Sequence, residues 1–222
     1  MRKKLRFYLI ISLFFLLAGC AKGEEEAFQI ASLESIDTIH IDYGSTKLQL
    51  ISDDTVDDLE LSLLHYDGGP GISLNEGSGS LHIGVKNSTF RLFNLQRMPK
   101  LEVRIPDSYT GTVIADGTSG TMEGLNLQIP SLKVSGSSGK VTLDFLELQG
   151  DVSVKTSSGN VDVTLNDATS DASVTMKSKS GSHSLGLILD QKSDDGNETS
   201  GILGNGTHHI HLETTSGNIS IR

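Results

Sequence analysis

A short turn built on glycine recurs along most of this chain, with alternating apolar residues before and after it. Most successive turn glycines lie 19 to 22 residues apart. A side-chain period of two, repeated about every twenty residues, predicts β-strand units stacked on one another. The sequence therefore predicts an all-β, single-domain β-solenoid with Ser-Gly turns at Gly79, Gly120, Gly139, Gly159, Gly181 and Gly217.

The same register of apolar residues repeats around these turns. In the unit at Gly139, Leu132 and Val134 come before the glycine, and Val141 and Leu143 follow it. We expect these positions to face the core and the residues between them to face solvent. The structural explanation for the turn residues is that glycine adopts positive φ at a tight corner and that the serine hydroxyl bonds to nearby backbone.

Three stretches depart from this register. Residues 36–50 keep the alternation but are offset, as expected for a terminal capping unit. The 41-residue gap between Gly79 and Gly120 predicts one more unit, with a degenerate turn at Pro99-Lys100. Residues 190–206 predict an inserted loop or hairpin, because Asp194 and Gly196 stand where apolar residues are expected.

The first twenty residues have the pattern of a bacterial export signal. Basic residues precede the apolar run Phe7–Leu17, and Leu17-Ala18-Gly19-Cys20 resembles the lipobox, in which the cysteine after the cleavage point receives a lipid. The apolar run is shorter than the roughly 20 residues of a membrane span. Cys20 is also the single cysteine of the chain, which leaves no intramolecular disulfide.

These features predict three segments and a location. We expect a signal peptide at residues 1–19, a lipidated Cys20 with an acidic tether at 20–32, and the solenoid at 33–222. The tether contains three consecutive glutamates, Glu24 to Glu26. The predicted location is the extracytoplasmic bacterial cell envelope, where the Cys20 lipid anchors the protein to the membrane.

The charge balance excludes one class of partner. The chain has 18 basic and 28 acidic residues, and removal of residues 1–19 leaves 14 basic residues and a formal charge of −14. Nucleic-acid-binding domains present clustered Lys and Arg, so no nucleic acid is expected as a partner. The same excess of acidic residues disfavours an orientation in which the domain lies flat on an anionic lipid surface.

One row of residues offers candidate metal ligands. If Ile210 and Leu212 face the core, then His209, His211 and Glu213 point outward from one strand and could hold a zinc-like ion. The alternative is a surface ion pair between Glu213 and Lys177, which occupies the same position one unit earlier. We favour the ion pair and expect neither a metal nor a cofactor.

The sequence gives only a weak indication of a catalytic serine nucleophile. Ser137-Ser138-Gly139-Lys140 matches the Ser-x-x-Lys pattern of penicillin-recognising enzymes, but that motif opens a helix there and has companion motifs that this chain lacks. His183 occupies an inward position, which favours a hydrogen-bonded core residue or one tilted to the edge. No catalytic residues are predicted.

Several of these segments resemble a known family. Leu101-x-Val-x-Ile-Pro106 and the units Thr156–Leu165 and Thr214–Ile221 resemble the bacterial putative-adhesin domain, also called the toast-rack domain. The resemblance covers residues 36–222. It implies a β-solenoid in an exported or membrane-anchored envelope protein, and it brings no catalytic residues with it.

We therefore expect a non-enzymatic, lipid-anchored envelope protein that binds a surface partner, either another envelope protein or a glycan, as an adhesin-like or envelope-stress-sensing module. A polysaccharide-acting enzyme on a parallel β-helix is one alternative. Sugar-cleaving grooves usually carry aromatic platforms, and this chain has no Trp, seven Phe and four Tyr. A structural spacer is the other alternative.

Overall fold

The computed structural model describes residues 24–66, 71–86, 98–167 and 169–222. Within these residues the regular structure consists of nineteen β-strands in two sheets. The alternating apolar pattern accounts for this, because each strand buries one face and leaves the other to solvent. The predicted all-β class is confirmed.

Sheet A contains nine of these strands. In spatial order they are β1 (Glu24–Ala31), β4 (Leu59–Tyr66), β7 (Lys100–Pro106), β3 (Lys47–Asp53), β9 (Met122–Leu127), β11 (Val141–Phe145), β13 (Val161–Leu165), β19 (Ile219–Ile221) and β15 (His183–Leu185).

Sheet B contains the other ten described strands. In spatial order they are β16 (Asp190–Asp194), β17 (Glu198–Leu203), β14 (Ala172–Ser180), β18 (His208–Ser216), β12 (Asp151–Ser158), β10 (Ser131–Ser138), β8 (Thr112–Gly117), β2 (Thr38–Gly44), β6 (Ser80–Val85) and β5 (Ile72–Gly77).

Each coil of the solenoid gives one strand to sheet B, turns a corner and gives the next strand to sheet A. Strands of neighbouring coils pair in parallel, as β10 does with β12 and β11 with β13. Leu132, Val134, Val141 and Leu143 are buried between the sheets, as the repeat predicts. Burial of each such side chain contributes about 1.5–3 kcal/mol, so the core column is the main source of stability.

The corner glycines serve close contact between coils. A Cβ on Gly120 would lie 2.1 Å from the carbonyl oxygen of Thr46, and one on Gly159 would lie 2.0 Å from that of Gly139. Gly217 and Gly181 continue this glycine column, with contacts of 2.2 and 1.8 Å. The expectation of positive φ is correct in this column only for Gly139, at +118°. At the other positions of the column, a backbone carbonyl oxygen of the adjacent coil lies where a Cβ atom would be, so only glycine fits.

The coils do not stack in the order of the chain. From one end the order is β6–β7, β2–β3, β8–β9, β10–β11, β12–β13, β18–β19 and β14–β15. The second coil along the chain is therefore outermost at one end, and the last coil is inserted one place before the other end. The prediction that residues 36–50 form a terminal cap is wrong, because β2 pairs with both β6 and β8.

Strand β1 occupies most of the segment predicted as a tether. It pairs antiparallel with β4 over eight residues, from Glu24 opposite Tyr66 to Ala31 opposite Leu59. Ala27 and Ala31 pack against the core from this strand. The glutamates suggested a solvated linker, but the alternation that follows them continues sheet A. Within residues 20–32, the tether expectation is therefore corrected from Glu24 onward.

Two hairpins also depart from simple coiling. The predicted turn at Gly79 joins β5 to β6 antiparallel within sheet B, so it is a hairpin and not a corner. Pro99 directly precedes β7, of which Lys100 is the first residue, and most of the connection before it lies outside the described residues, so the predicted turn at Pro99-Lys100 stays a prediction. Residues 190–206 form the hairpin β16–β17, which extends sheet B beyond β14.

Candidate binding surface

Four alternating charges cross the outer face of sheet B and form what we call the charge row: Lys155, Glu213, Lys177 and Glu198. The register places them side by side on β12, β18, β14 and β17. The Lys155 Nζ atom lies 3.7 Å from Glu213 Oε2, and Lys177 Nζ lies 2.8 Å from Glu198 Oε2. Each charge in the row thus has an opposite charge beside it.

The pKa directions agree with this arrangement. The hydrogen bond from His211, assisted by Lys155, lowers the pKa of the Glu213 carboxyl. The hydrogen bond to Glu198 raises the pKa of the Lys177 ammonium, and the nearby Glu213 adds to this. The predicted neighbours Lys177 and Glu213 do lie in register, but the direct partner of Lys177 is Glu198.

A depression of 360 Å³ lies beside the charge row, next to the solenoid corners. We call it the serine depression. Its lining is polar and small, with one ammonium and one carboxylate at its side: Gly117, Ser135, Gly136, Ser137, Lys155, Thr156, Ser157 and Glu213.

The lining of the depression includes the residue three places before the corner glycine. In three coils this position holds a buried hydroxyl that bonds to a glycine carbonyl: Thr156, Thr214 and Ser178. In the β8 and β10 coils the register neighbours are Gly117 and Gly136, which have no side chain. Gly117, Gly136 and Thr156 line the depression, and the buried Thr156 side chain points inward.

A tyrosine supports this lining from inside. A Cβ on Gly117 would lie 2.2 Å from Cζ of Tyr43, so the ring occupies the space that a side chain would need. Burial, with Asp116 nearby, raises the pKa of Tyr43 to about 12, which keeps the phenol neutral. The sequence signal for this site was the pair of glycines at a position that other coils fill with hydroxyls, and our sequence analysis missed it.

The serine depression can offer hydrogen bonds to a polar ligand. The serine hydroxyls both donate and accept, and the Lys155 ammonium only donates. Ser135 and Ser157 are exposed on rigid strands, so a ligand would not have to order them from a loop. Such a lining suits the hydroxyl groups of a glycan or the backbone of a peptide.

The structure separates the candidate metal ligands. His209, His211 and Glu213 point outward as expected, and Ile210 and Leu212 are buried. His211 Nε2 lies 3.3 Å from Glu213 Oε2, whereas His209 Nδ1 lies 3.4 Å from Asp151 Oδ1 on β12. In the part of the chain described here, no group of three or more His, Cys, Asp or Glu is placed to hold a metal ion.

The remaining candidate residues have structural contacts. Lys140 of the Ser-x-x-Lys pattern, in the corner before β11, forms an ion pair with Asp162 of β13 at 2.7 Å. His183 Nδ1 lies 2.8 Å from Thr199 Oγ1, and the side chain is half-buried at the edge of sheet A. Cys20, the predicted lipidation site, lies outside the described residues.

A second depression, of 430 Å³, lies at the end of the stack near β7. Acidic side chains dominate its lining, which includes Glu34, Asp37, Asp57 and Asp58. Its hydroxyl groups come from Ser32, Ser35, Ser108, Tyr109 and Thr110.

Across the four described ranges of the chain, no helix is long and apolar enough to span a bilayer.

Comparison with solved structures supports the fold. The chain is similar to a putative cell adhesion protein from Clostridium sporogenes, with a TM-score of 0.68 and 14% sequence identity. This match covers 90% of the chain and 99% of that structure. At this level of identity the likeness concerns the fold alone.

Two further structures match with TM-scores below 0.5, which are too low to support a conclusion about this chain. A putative adhesin from Bacteroides fragilis has a TM-score of 0.36 at 13% identity, covering 92% of this chain and 100% of that one. A putative lipid binding protein from Parabacteroides distasonis has a TM-score of 0.29 at 13% identity, covering 90% and 96%.

Sequence families give a more direct assignment. No curated protein matches the chain. A family model described as Toastrack DUF4097 matches residues 70–222, which is more than two thirds of the chain. The stacked two-sheet architecture agrees with this match over the described residues of that range. The chain belongs to the Toastrack DUF4097 family.

Proposed function

We propose that this protein is a lipid-anchored, non-enzymatic module of the bacterial cell envelope, and that it binds an envelope protein or glycan through the outer face of sheet B. The observation that carries the proposal is the serine depression, a polar concavity of 360 Å³ built on rigid strands. Binding sites are commonly displayed on a rigid scaffold of this kind.

The contacts of the charged side chains support binding rather than catalysis. A catalytic acid or base needs a pKa matched to its task and a position beside the reacting group. Here Lys155, Glu213, Lys177 and Glu198 hold one another in the charge row, with shifts that keep each of the perturbed groups charged. The pKa shifts of Glu213 and Lys177 favour their charged forms, and charged groups paired in this way orient a ligand or stabilise the sheet.

The start of the fold supports the anchor. Strand β1 begins at Glu24, four residues after Cys20, so a lipid on Cys20 would hold the domain close to the membrane. A diacylated cysteine would bind far more firmly than a single chain. We expect Cys20→Ala to remain unprocessed or to leave the membrane fraction. Normal processing together with normal fractionation would refute the lipid anchor.

The binding site has a separate test. We expect Lys155→Ala/Ser157→Ala to weaken the binding of the protein to isolated cell envelopes at least tenfold, because both side chains line the serine depression. Lys133→Ala is the matched control, since Lys133 is exposed on the same face, on β10, and outside the depression. Equal binding of both variants would contradict the proposed site. An unchanged melting temperature would show that both variants are folded.

A further inference from the structure

Strand β1 ends sheet A and has one free edge. It pairs with β4 on one side, and among the described residues no strand pairs with its other side. An edge strand of eight residues presents a row of backbone donors and acceptors that can pair with another strand. Proteins usually protect such an edge with charges, bulges or a covering element.

The protection of β1 is confined to its first part. Glu24, Glu25 and Glu26 stand at its start, and residues 27–31 carry no charge. Phe28 and Ile30 point outward from this uncharged part, and each is 56% exposed. The strand thus combines an open backbone edge with two exposed apolar side chains on the same face.

We propose that β1 pairs with β1 of a second copy of this chain, antiparallel and centred on Gln29. In a continuous sheet, outward residues stand opposite outward residues. With Gln29 opposite Gln29, Phe28 faces Ile30 of the second copy, and Ala27 faces Ala31 on the other side of the sheet. The apolar residues of one strand therefore meet those of the other.

The glutamates favour this direction of pairing. In the antiparallel pairing residues 27–31 of the two copies lie opposite each other, and Glu26 stands opposite Ser32 of the second copy. The register would bring Glu24 opposite Glu34, but Glu34 lies in the turn after β1, beyond the paired residues. A parallel pairing in register would place all three glutamates of one strand against those of the other, and like charges directly opposite destabilise a sheet. The same glutamates disfavour an anionic membrane surface as the occupant of this face.

The pairing forms a closed, two-fold symmetric dimer. An interface that uses the same strand from both copies cannot extend further, because each β1 has one free edge. Anchoring raises the local concentration and favours pairing. The strand pairing itself does not depend on the anchor.

Disulfide trapping tests the register in the full-length chain. Gln29→Cys places two cysteines directly opposite each other, and opposed Cα atoms of an antiparallel pair, roughly 4.5–5.5 Å apart, lie within disulfide range. We expect mild oxidation of membranes that contain this variant to give a disulfide-linked dimer of the chain on a non-reducing gel. The controls are the parent chain, which has only Cys20, and Ile188→Cys, whose side chain is 92% exposed at the far end of the stack.

Cross-linking of Gln29→Cys no stronger than that of Ile188→Cys would overturn the proposal, and so would a disulfide between Gln29→Cys and a different protein. Light scattering in detergent gives a second test. The wild-type protein should have twice the molar mass of the double variant Phe28→Glu/Ile30→Glu, because the variant should be monomeric. Equal melting temperatures would show that the variant is folded. A wild-type monomer that binds phosphatidylglycerol vesicles through Phe28 and Ile30 would also overturn it.

Discussion

A single carbon atom decides whether neighbouring coils can close at their corners. At Gly159 a Cβ would lie 2.0 Å from the Gly139 carbonyl oxygen, whereas at Gly136 the nearest atom would be 3.9 Å away. Neither glycine has a positive φ. Neither substitution is therefore strained by a left-handed backbone, and the two sites differ in the space around the added Cβ.

We expect Gly159→Ala to destabilise the protein by about 1–3 kcal/mol, because the corner must move apart to admit the methyl group. Gly136→Ala should cost little, since 3.9 Å is ordinary contact. Urea denaturation of both variants measures the difference. Equal midpoints would show that the corner can relax and that the glycine column is not a packing constraint.

Residue patterns predicted the inward register but not the reason for the glycines. Alternation identifies which side chains are buried, as at Leu132 and Val141, because the period of two is a local property. The contact of Gly159 with Gly139 is made between coils twenty residues apart. One sequence shows that a glycine recurs there, but it does not distinguish a backbone requirement from a steric one.

At the scale of elements, the charge row favours the observed order of coils. Stacking in chain order would place β14 directly on β12, with Lys177 beside Lys155. Insertion of β18 between them places Glu213 between the two lysines. Opposite charges on adjacent strands contribute roughly 0.2–1 kcal/mol per pair, and like charges cost a similar amount.

We expect Glu213→Lys, which would put three lysines side by side, to destabilise the protein by roughly 0.5–1 kcal/mol at low salt. The loss should shrink at high salt, because the row is exposed. Thr215→Lys is the control on the same strand, outside the row. A loss that is equal for both variants, or independent of salt, would exclude an electrostatic role for Glu213.

Asp171 fastens the hairpin β16–β17 to the stack. Its carboxylate accepts hydrogen bonds from Asn205 and from Thr207, both just after β17, at 2.9 to 3.0 Å. The bond from the Thr207 backbone, followed by that from the Asn205 side chain, lowers the pKa of Asp171 to about 2. The ionised carboxylate is therefore favoured in the folded state.

A depressed pKa stabilises the fold above the ordinary carboxyl pKa of 3.8, and this contribution is lost as the pH falls towards about 2. We expect Asp171→Asn to lower the melting temperature at neutral pH and the difference from wild type to shrink between pH ~4 and ~2. Thermal unfolding at a series of pH values measures it. A difference that stays constant down to the lowest pH would contradict the role of the ionised carboxylate.

At the scale of the molecule, the sequence predicted a solenoid but not its order. Most coils share one register of apolar residues, so the apolar pattern does not determine which of these coils stack on one another. The order depends on contacts between distant residues, such as β2 with β6 and β18 with β12. Strand β1 was missed because its glutamates resemble a linker, and its pairing partner β4 is visible only in three dimensions.

The candidate site was predictable only in outline. Sequence reasoning predicted a binding function and identified the outward direction of His211 and Glu213. It did not locate the serine depression, because the lining residues come from β8, β10, β12 and β18, and their order in the sheet is visible only in three dimensions. The lipid anchor at Cys20 stays a prediction.

Photo-crosslinking in living cells tests the central proposal, that the serine depression binds an envelope partner. A photoreactive phenylalanine analogue at Ser157, which lines the depression, should give a crosslinked product of higher mass than the protein alone. The same analogue at Ser184, exposed on sheet A, is the matched control. We predict a discrete adduct at Ser157 that is absent at Ser184. The same yield at both positions, or no adduct at Ser157, would contradict the proposed function.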